Sequence, residues 1–514
     1  MTLLEVSETG SVFVNAVAQA GGSVMYIVMV SSECAPVAHT GGLGDVVYGL
    51  SRELEIRGHA VEIILPKYDC LRYDLIQNLT LDYRELWVPW YNGAVHCSVW
   101  FGFVQGRKCF FIEPHSQDNF FARASINGYS DDSLRFAFFS KAALEFMLKA
   151  DKRPDVIHCH DWHTGLVPVL LFEIYRFRGM ENQRICYTIH NFRHQGLDGE
   201  RVLRATGLGR PDYYFHYDRL RDNFNPHLIN FMKAGIVYAN FFTTVSHGHA
   251  WEAMHTEQGC GLGHTLYIHR HKFGSVRNGV DYDVWNPEVD RLIPHCYTAD
   301  SLERKYWNKE ALRDRLWVRK SYKPLIAYVG RLDAQKGVHL IRHALHYALS
   351  NDAQLVLVGP SPDPWIEREL WHLKHELNSN PDSHLELRFD SDLAHLVYAG
   401  ADMIVVPSNY EPCGLVQMIA LKYGAIPIVR AIGGLSETVF DRDFSDRPPE
   451  QRNGYTFNQP DHPGIESAMH RAIGLWYHHP HDFRHLILNG MRYDYSWNHP
   501  GQDYLNIYEY IRHR

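Results

Sequence analysis

His39-Thr-Gly-Gly-Leu-Gly-Asp45 decides how this chain is read. It follows the apolar run Tyr26-Ile-Val-Met-Val30, and the residues after it, Leu43–Arg57, carry helical periodicity. Small residues between a buried strand and a helix bare the first helical N–H groups. Those groups have no partner inside the helix and favour an anion. A second region of this kind, Tyr410-Glu-Pro-Cys-Gly-Leu415 with Gly433-Gly-Leu435, lies far along the chain. Two such loops predict two open α/β domains that grip one phosphorylated ligand.

Outward from the first loop, short apolar runs alternate with amphipathic stretches. Val61–Leu65, Asp155–His158, Ile185–Ile189 and Phe241–Val245 read as strands of a parallel sheet covered on both faces. Trp87–Cys109 alternates differently and predicts an antiparallel hairpin at the sheet edge. The pattern restarts after Asn278-Gly-Val-Asp281. It gives Pro324–Val329, Gln354–Val358, Leu385–Phe389, Met403–Val406 and Ile426–Val429 as strands, with 282–322 carrying the chain across. Gly464–Tyr477 and Asp503–Arg512 read as helices. The expected organisation is an extension at 1–24 that is disordered, a Rossmann-like domain at 25–285 and a second at 286–490. A last segment, 491–514, packs back as a helix on the first domain. In such sheets ligands bind outside the carboxyl ends of the strands, where every motif falls.

Composition narrows the partners. The 514 residues imply about two to four domains. A net charge of −8 lacks the basic face of a nucleic-acid binder. No apolar run approaches the roughly 18 residues of a membrane span. Nine cysteines without a CxxC pair read as reduced thiols. The first 24 residues contain no Lys or Arg, which fits neither a secretory signal nor a transit peptide. A cytoplasmic protein without membrane or nucleic-acid partners is the expectation.

Arg331 and Lys336, in Gly330-Arg-Leu-Asp-Ala-Gln-Lys-Gly337, follow a strand and suit a diphosphate, Arg with forked hydrogen bonds and Lys as a point charge. Glu411 stands just before a helix start, where it can accept sugar hydroxyls or steady positive charge at a reacting carbon. Cys413 beside it reads as a packed thiol rather than a nucleophile. His158-Cys-His-Asp-Trp-His163 invites a metal reading, but Trp162 stands where the HxHxDH hydrolase pattern needs Asp. A polar rim with Asp161 as its functional member is the better reading, and no metal site is expected. His190 ends another strand.

In order and spacing these motifs resemble the bacterial glycogen synthases and plant starch synthases, most of all the cyanobacterial branch. Gly128–Phe136, Asp161–Leu166 and Val276–Pro287 extend the likeness from about Met25 to the C-terminus. The resemblance implies the GT-B fold, two Rossmann-like parallel-sheet domains facing across a cleft. It implies transfer of glucose from ADP-glucose, as co-substrate, to the non-reducing end of an α-1,4-glucan. The α configuration is retained, and no cofactor or metal is used. Catalytic roles then fall to Glu411, His190, Asp161, Arg331 and Lys336. Substrate binding falls to His39, Gly41, Gly42, Asp45, Phe389 (against the nucleotide base), Cys413, Gly414 and Leu415. Retention by front-face attack, without a protein nucleophile, suits a motif set rich in cations and backbone donors; the second glutamate of some other retaining GT-B enzymes is absent, with Ile419 in its place. His39 departs from the family's Lys-x-Gly-Gly-Leu. An unperturbed His is about one-quarter charged at pH 7, so weaker or acid-favoured donor use is expected. The alternatives are a catalytically weak paralogue that binds glucan or a partner synthase, or a transferase using UDP-glucose.

Overall fold

The computed structural model describes residues 4–6, 12–14 and 23–514. The chain forms two compact units, Met1–Gly279 with Trp497–Arg514, and Val280–Ser496. The sequence-based limits stand a few residues away, at 285 and 490. Of segment 1–24, expected to be disordered, the described part holds residues 23 and 24 and two strands paired antiparallel, β1 (Leu4–Val6) and β2 (Val12–Val14). The rest of that segment lies outside the described residues.

The first unit continues with β3 (Tyr26–Val30), β4 (Ala60–Pro66), β5 (Ile76–Trp90), β6 (Gly93–Val104), β7 (Arg107–Pro114), β8 (Val156–His160) and β9 (Arg184–Ile189). A separate two-residue pair, β10 (Leu197–Asp198) and β11 (Ile229–Asn230), precedes β12 (Phe241–Thr244) and β13 (Phe273–Ser275). Nine strands form one sheet in the order β13-β12-β9-β8-β3-β4-β7-β6-β5. Ile27–Val30, Ile63–Leu65 and Val156–Ile157 are almost wholly buried, the pattern of strands covered on both faces. The expected edge hairpin is longer than its sequence signal: β6 pairs antiparallel with both β5 and β7, while β7 runs parallel to β4.

The helix Asn498–Arg512 belongs to this unit and buries Tyr504 and Tyr508 completely. Each buried aromatic or aliphatic side chain of this kind stabilises by about 1.5–3 kcal/mol. Gly49 lets the chain end approach: a Cβ there would lie 2.0 Å from Trp497 Nε1.

The second unit has β14 (Leu325–Val329), β15 (Gln354–Val358), β16 (Ser383–Glu386), β17 (Met403–Val406), β18 (Ile426–Arg430) and β19 (Tyr455–Phe457), all parallel. Their order is β16-β15-β14-β17-β18-β19, the 3-2-1-4-5-6 order of dinucleotide-binding sheets. Residues 282–322 are more than a connector. Lys309 Nζ on the helix Glu303–Leu316 donates to Asp402 Oδ2 at 2.6 Å, and the same oxygen accepts from Leu325 N at 2.7 Å. Earlier in that stretch, Trp285 stacks on His395 at 3.9 Å, and His395 Nδ1 lies 2.8 Å from Asp290 Oδ2.

In both sheets the first long strand lies inside, so the chain departs from it in opposite directions. The crevice between β3 and β8, and that between β14 and β17, are the points where strand order reverses. Loops leaving those strand ends carry most of the candidate residues; His190 follows β9 and Phe389 lies beyond β16.

Candidate active site

In the first unit the loop after β3 is organised by a residue that sequence reasoning passed over. The buried Glu33 accepts from Thr40 N and Thr40 Oγ1, both at 2.7 Å, and from Gly41 N at 3.3 Å. Two N–H groups just ahead of the helix are thus engaged by a carboxylate of the chain itself. The helix Gly42–Ile56 begins just beyond, with Asp45 in its first turn. Gly41 is extended, φ −165°, and a Cβ on it would meet no protein atom within 4 Å. Neither backbone conformation nor packing demands glycine there, which leaves the open side as the reason.

His39 does not behave as an isolated imidazole. Its Nε2 lies 3.0 Å from Asp45 Oδ2, and that bond, with Glu33 nearby, raises its pKa. The one-quarter charge expected at pH 7 is therefore too low. The residues that correct it stand in the same loop.

At the end of β8, Asp161 adopts φ 55°, ψ 179°, a conformation almost reserved for glycine and costing about 1–3 kcal/mol. Its surroundings over-determine it. Asp161 N donates to Thr188 O at 2.9 Å, and Asp161 Oδ1 accepts from His190 N at 2.7 Å and Asn191 N at 3.4 Å. Burial pushes its carboxyl up to about 7 against the lowering pull of those two N–H groups. His190 follows β9, and burial lowers its pKa to about 3, so it is neutral. Its Nε2 lies 3.1 Å from His160 Nδ1.

The His-rich segment from 158 to 163 is dispersed into separate contacts. His158 meets Thr188 Oγ1 at 2.8 Å and the Tyr508 hydroxyl at 2.7 Å, and His163 stacks on Trp162 at 4.3 Å. Among the described residues no group of three or more His, Cys, Asp or Glu is arranged to hold a metal ion.

In the second unit the loop after β14 and the loop after β17 are stitched together. Lys336 Nζ donates to Glu411 Oε2 at 2.6 Å, and Ser408 Oγ reaches the same oxygen at 2.9 Å. Asn409 N donates to Gln335 O at 2.8 Å. Asp333 Oδ1 takes Lys336 N at 2.9 Å. Gly337, at φ 73°, admits the neighbouring loop, since a Cβ would lie 2.4 Å from Pro407 O. Arg331 is half exposed, its Nε 3.9 Å from Asp333 Oδ2.

Cys413 is buried, and Gly414 and Leu415 precede the helix Val416–Lys422. Phe389 is 70% exposed; its strand ends at Glu386, earlier than the apolar spacing indicated, so the ring stands on the loop beyond. Arg331, Lys336, Glu411 and Cys413–Leu415 are thus gathered at one sheet reversal, and His39, Gly41, Gly42, Asp45, Asp161 and His190 at the other. Glu33, His160, Asp333 and Ser408 were missed. A carboxylate three residues past an apolar strand was the one available signal, for Glu33.

Among the described residues no helix is long and apolar enough to cross a membrane. The starch synthase catalytic domain model matches residues 26–267, and the model for glycosyl transferases group 1 matches 313–484. Glycogen synthase 1 of Synechococcus sp. (strain JA-3-3Ab) is 65% identical over 95% of this chain and 100% of its own length. Glycogen synthase 2 of Methylococcus capsulatus is 63% identical over 94% and 99%. The catalytic domain of starch synthase IV from Arabidopsis thaliana, solved bound to ADP and acarbose, superposes with a TM-score of 0.93. It is 40% identical and covers 96% of this chain and 100% of its own. Sucrose-phosphate synthase of Thermosynechococcus elongatus, 19% identical with a TM-score of 0.60, shares the fold. The chain belongs to the glycogen and starch synthase family of glycosyltransferases, with two parallel-sheet domains of GT-B type.

Proposed function

We propose that this protein transfers glucose from ADP-glucose to the non-reducing end of an α-1,4-glucan, with retention, in glycogen biosynthesis. The observation that carries the reading is the grouping at the reversal of the second sheet. A half-exposed Arg331 leaves the same loop as Lys336, whose ammonium is fixed by Glu411 at 2.6 Å. Two cations on one loop neutralise the charge that develops on a leaving diphosphate, and the lysine is held in place before reaction. That charge stabilisation is assigned to Arg331 and Lys336 rather than to a divalent ion, so chelators should leave the rate unchanged.

Glu411 accepts hydroxyls of the donor sugar, Cys413–Leu415 lie along its phosphates, and Phe389 offers an exposed ring to the base. In the first unit, Gly41, Gly42, His39 and Asp45 form the phosphate- and sugar-facing loop. His190 and Asp161 line the glucose. The leaving phosphate takes the acceptor's proton in a front-face displacement, which asks the enzyme for positioning and charge stabilisation rather than a protein nucleophile. The starch synthase IV structure, bound to ADP and acarbose, supports an adenine nucleotide and a sugar ligand for this chain. All nine cysteines stand as thiols, which suits the cytoplasm.

Purified protein incubated with labelled ADP-glucose or UDP-glucose and glycogen tests the reading. Incorporation from ADP-glucose is expected. Incorporation from UDP-glucose alone moves the donor assignment, and glucan binding without incorporation from either donor leaves a non-catalytic paralogue.

A further inference from the structure

We propose that His160 is a positioning residue that fixes the tautomer of His190, so that His190 presents an N–H at Nδ1 to the donor sugar. The inference rests on the reading that His190 lines that sugar. His160 Nδ1 and His190 Nε2 are 3.1 Å apart, so one nitrogen carries the proton and the other accepts it. The remaining nitrogen of His160, Nε2, is buried and has no polar protein atom within hydrogen-bonding reach. A proton on that nitrogen would strand a buried donor, the more costly kind of orphan. The proton of His160 therefore sits on Nδ1 and is donated to His190 Nε2. His190, left with a lone pair at Nε2, carries its own proton on Nδ1.

The arrangement is rigid on both sides. The His158 ring lies against His160 at 4.1 Å between centroids, and His158 is itself held by Thr188 and by Tyr508 of the C-terminal helix. The backbone N–H of His190 is tied to Asp161, next in sequence to His160. Burial lowers the pKa of both imidazoles, so neither gains a second proton at neutral pH. Adjacent residues at one strand end thus set the place of the His190 backbone and the identity of its free donor.

The test is a double-mutant cycle on kcat with His160→Leu and His190→Ala. His160→Leu should lower kcat about tenfold, the size of one neutral hydrogen bond, with KM for glycogen unchanged. In the His190→Ala background the same change should cost less than about twofold. His160→Asn, which offers an N–H near the Nδ1 position, should restore most of the rate, whereas His160→Gln should not. This pair carries the test if the leucine variant fails to fold. An equal cost of His160→Leu in both backgrounds, or equal rates for the Asn and Gln variants, overturns the proposal. A His190→Ala enzyme with wild-type kcat would instead overturn the role of His190, and the proposal with it.

Discussion

The loop after β3 and the loop after β14 leave equivalent places in their sheets, yet they are held in different ways. In the first unit a buried carboxylate, Glu33, grips backbone N–H groups, and the one basic side chain, His39, is turned onto Asp45. In the second unit the carboxylate grips a side-chain cation, Lys336, while Asp333 holds the backbone. The first loop is thus shaped by its main chain, with an open side at Gly41, and the second presents fixed charge. On the proposed reading, one loop supplies close approach and the other supplies electrostatics.

Removing the charge should have the larger effect. Lys336→Met is expected to lower kcat about 10²–10³-fold, the loss seen when one preorganised electrostatic contact is removed. Because Glu411 is left buried without its cation, the variant should be compared with Lys336→Met/Glu411→Gln by thermal unfolding as well as by labelled glucose incorporation. A Lys336→Met enzyme within tenfold of wild type would break the contrast between the two loops.

Gly41→Ala probes the other side of the comparison. A Cβ at this position meets no protein atom and the backbone is ordinary extended chain, so the unfolding midpoint should be unchanged. KM for ADP-glucose should rise about tenfold, the size of a contact worth about 1.4 kcal/mol. A fall in the midpoint without a change in KM would return Gly41 to a structural role.

Asp161 adds a titration to the first unit. With its folded pKa at about 7 and an unfolded value near 3.9, the native state keeps a proton that the unfolded chain loses between about pH 4 and 7. This group's contribution to stability therefore falls as pH rises through that window. Asp161→Asn keeps an oxygen for His190 N and Asn191 N, so the fold should persist while any inflection of kcat near pH 7 disappears. An unchanged pH profile would remove Asp161 from the titrating groups.

How much of this was legible in the letters follows from what each feature depends on. The β3 and β14 loops could be read because apolar strand, small-residue turn and helical periodicity are local patterns. The Lys336–Glu411 pair was visible only as two separate motifs, since a contact across 75 residues is created by the sheet order. His160 was hidden because burial, not residue type, gives it its role, and Glu33 showed only as a carboxylate shortly past an apolar strand. The strained backbone of Asp161 was hidden as well: a positive φ at a non-glycine residue is imposed by tertiary hydrogen bonds and leaves no mark in composition. Phe389 shows the opposite error, an apolar run extended past the point where the ladder stops.

His39 gives the smallest effect and the finest test of the comparison. The Asp45 bond raises its pKa above the ordinary value near 6.5. The charged form, and whatever stability it contributes, is therefore fully present below pH 6.5 and is lost as pH rises through the elevated folded value. A lysine at this position keeps its charge across the range. His39→Lys should match wild type at pH 6 and exceed it about two- to threefold in kcat/KM for ADP-glucose at pH 8.5, since only a partly exposed, screened charge is at stake. An advantage for lysine already present at pH 6 would mean that reach rather than charge separates the two side chains. The first loop would then need a long cation, as the second has in Lys336, and the division between a main-chain loop and a charged loop would have to be redrawn.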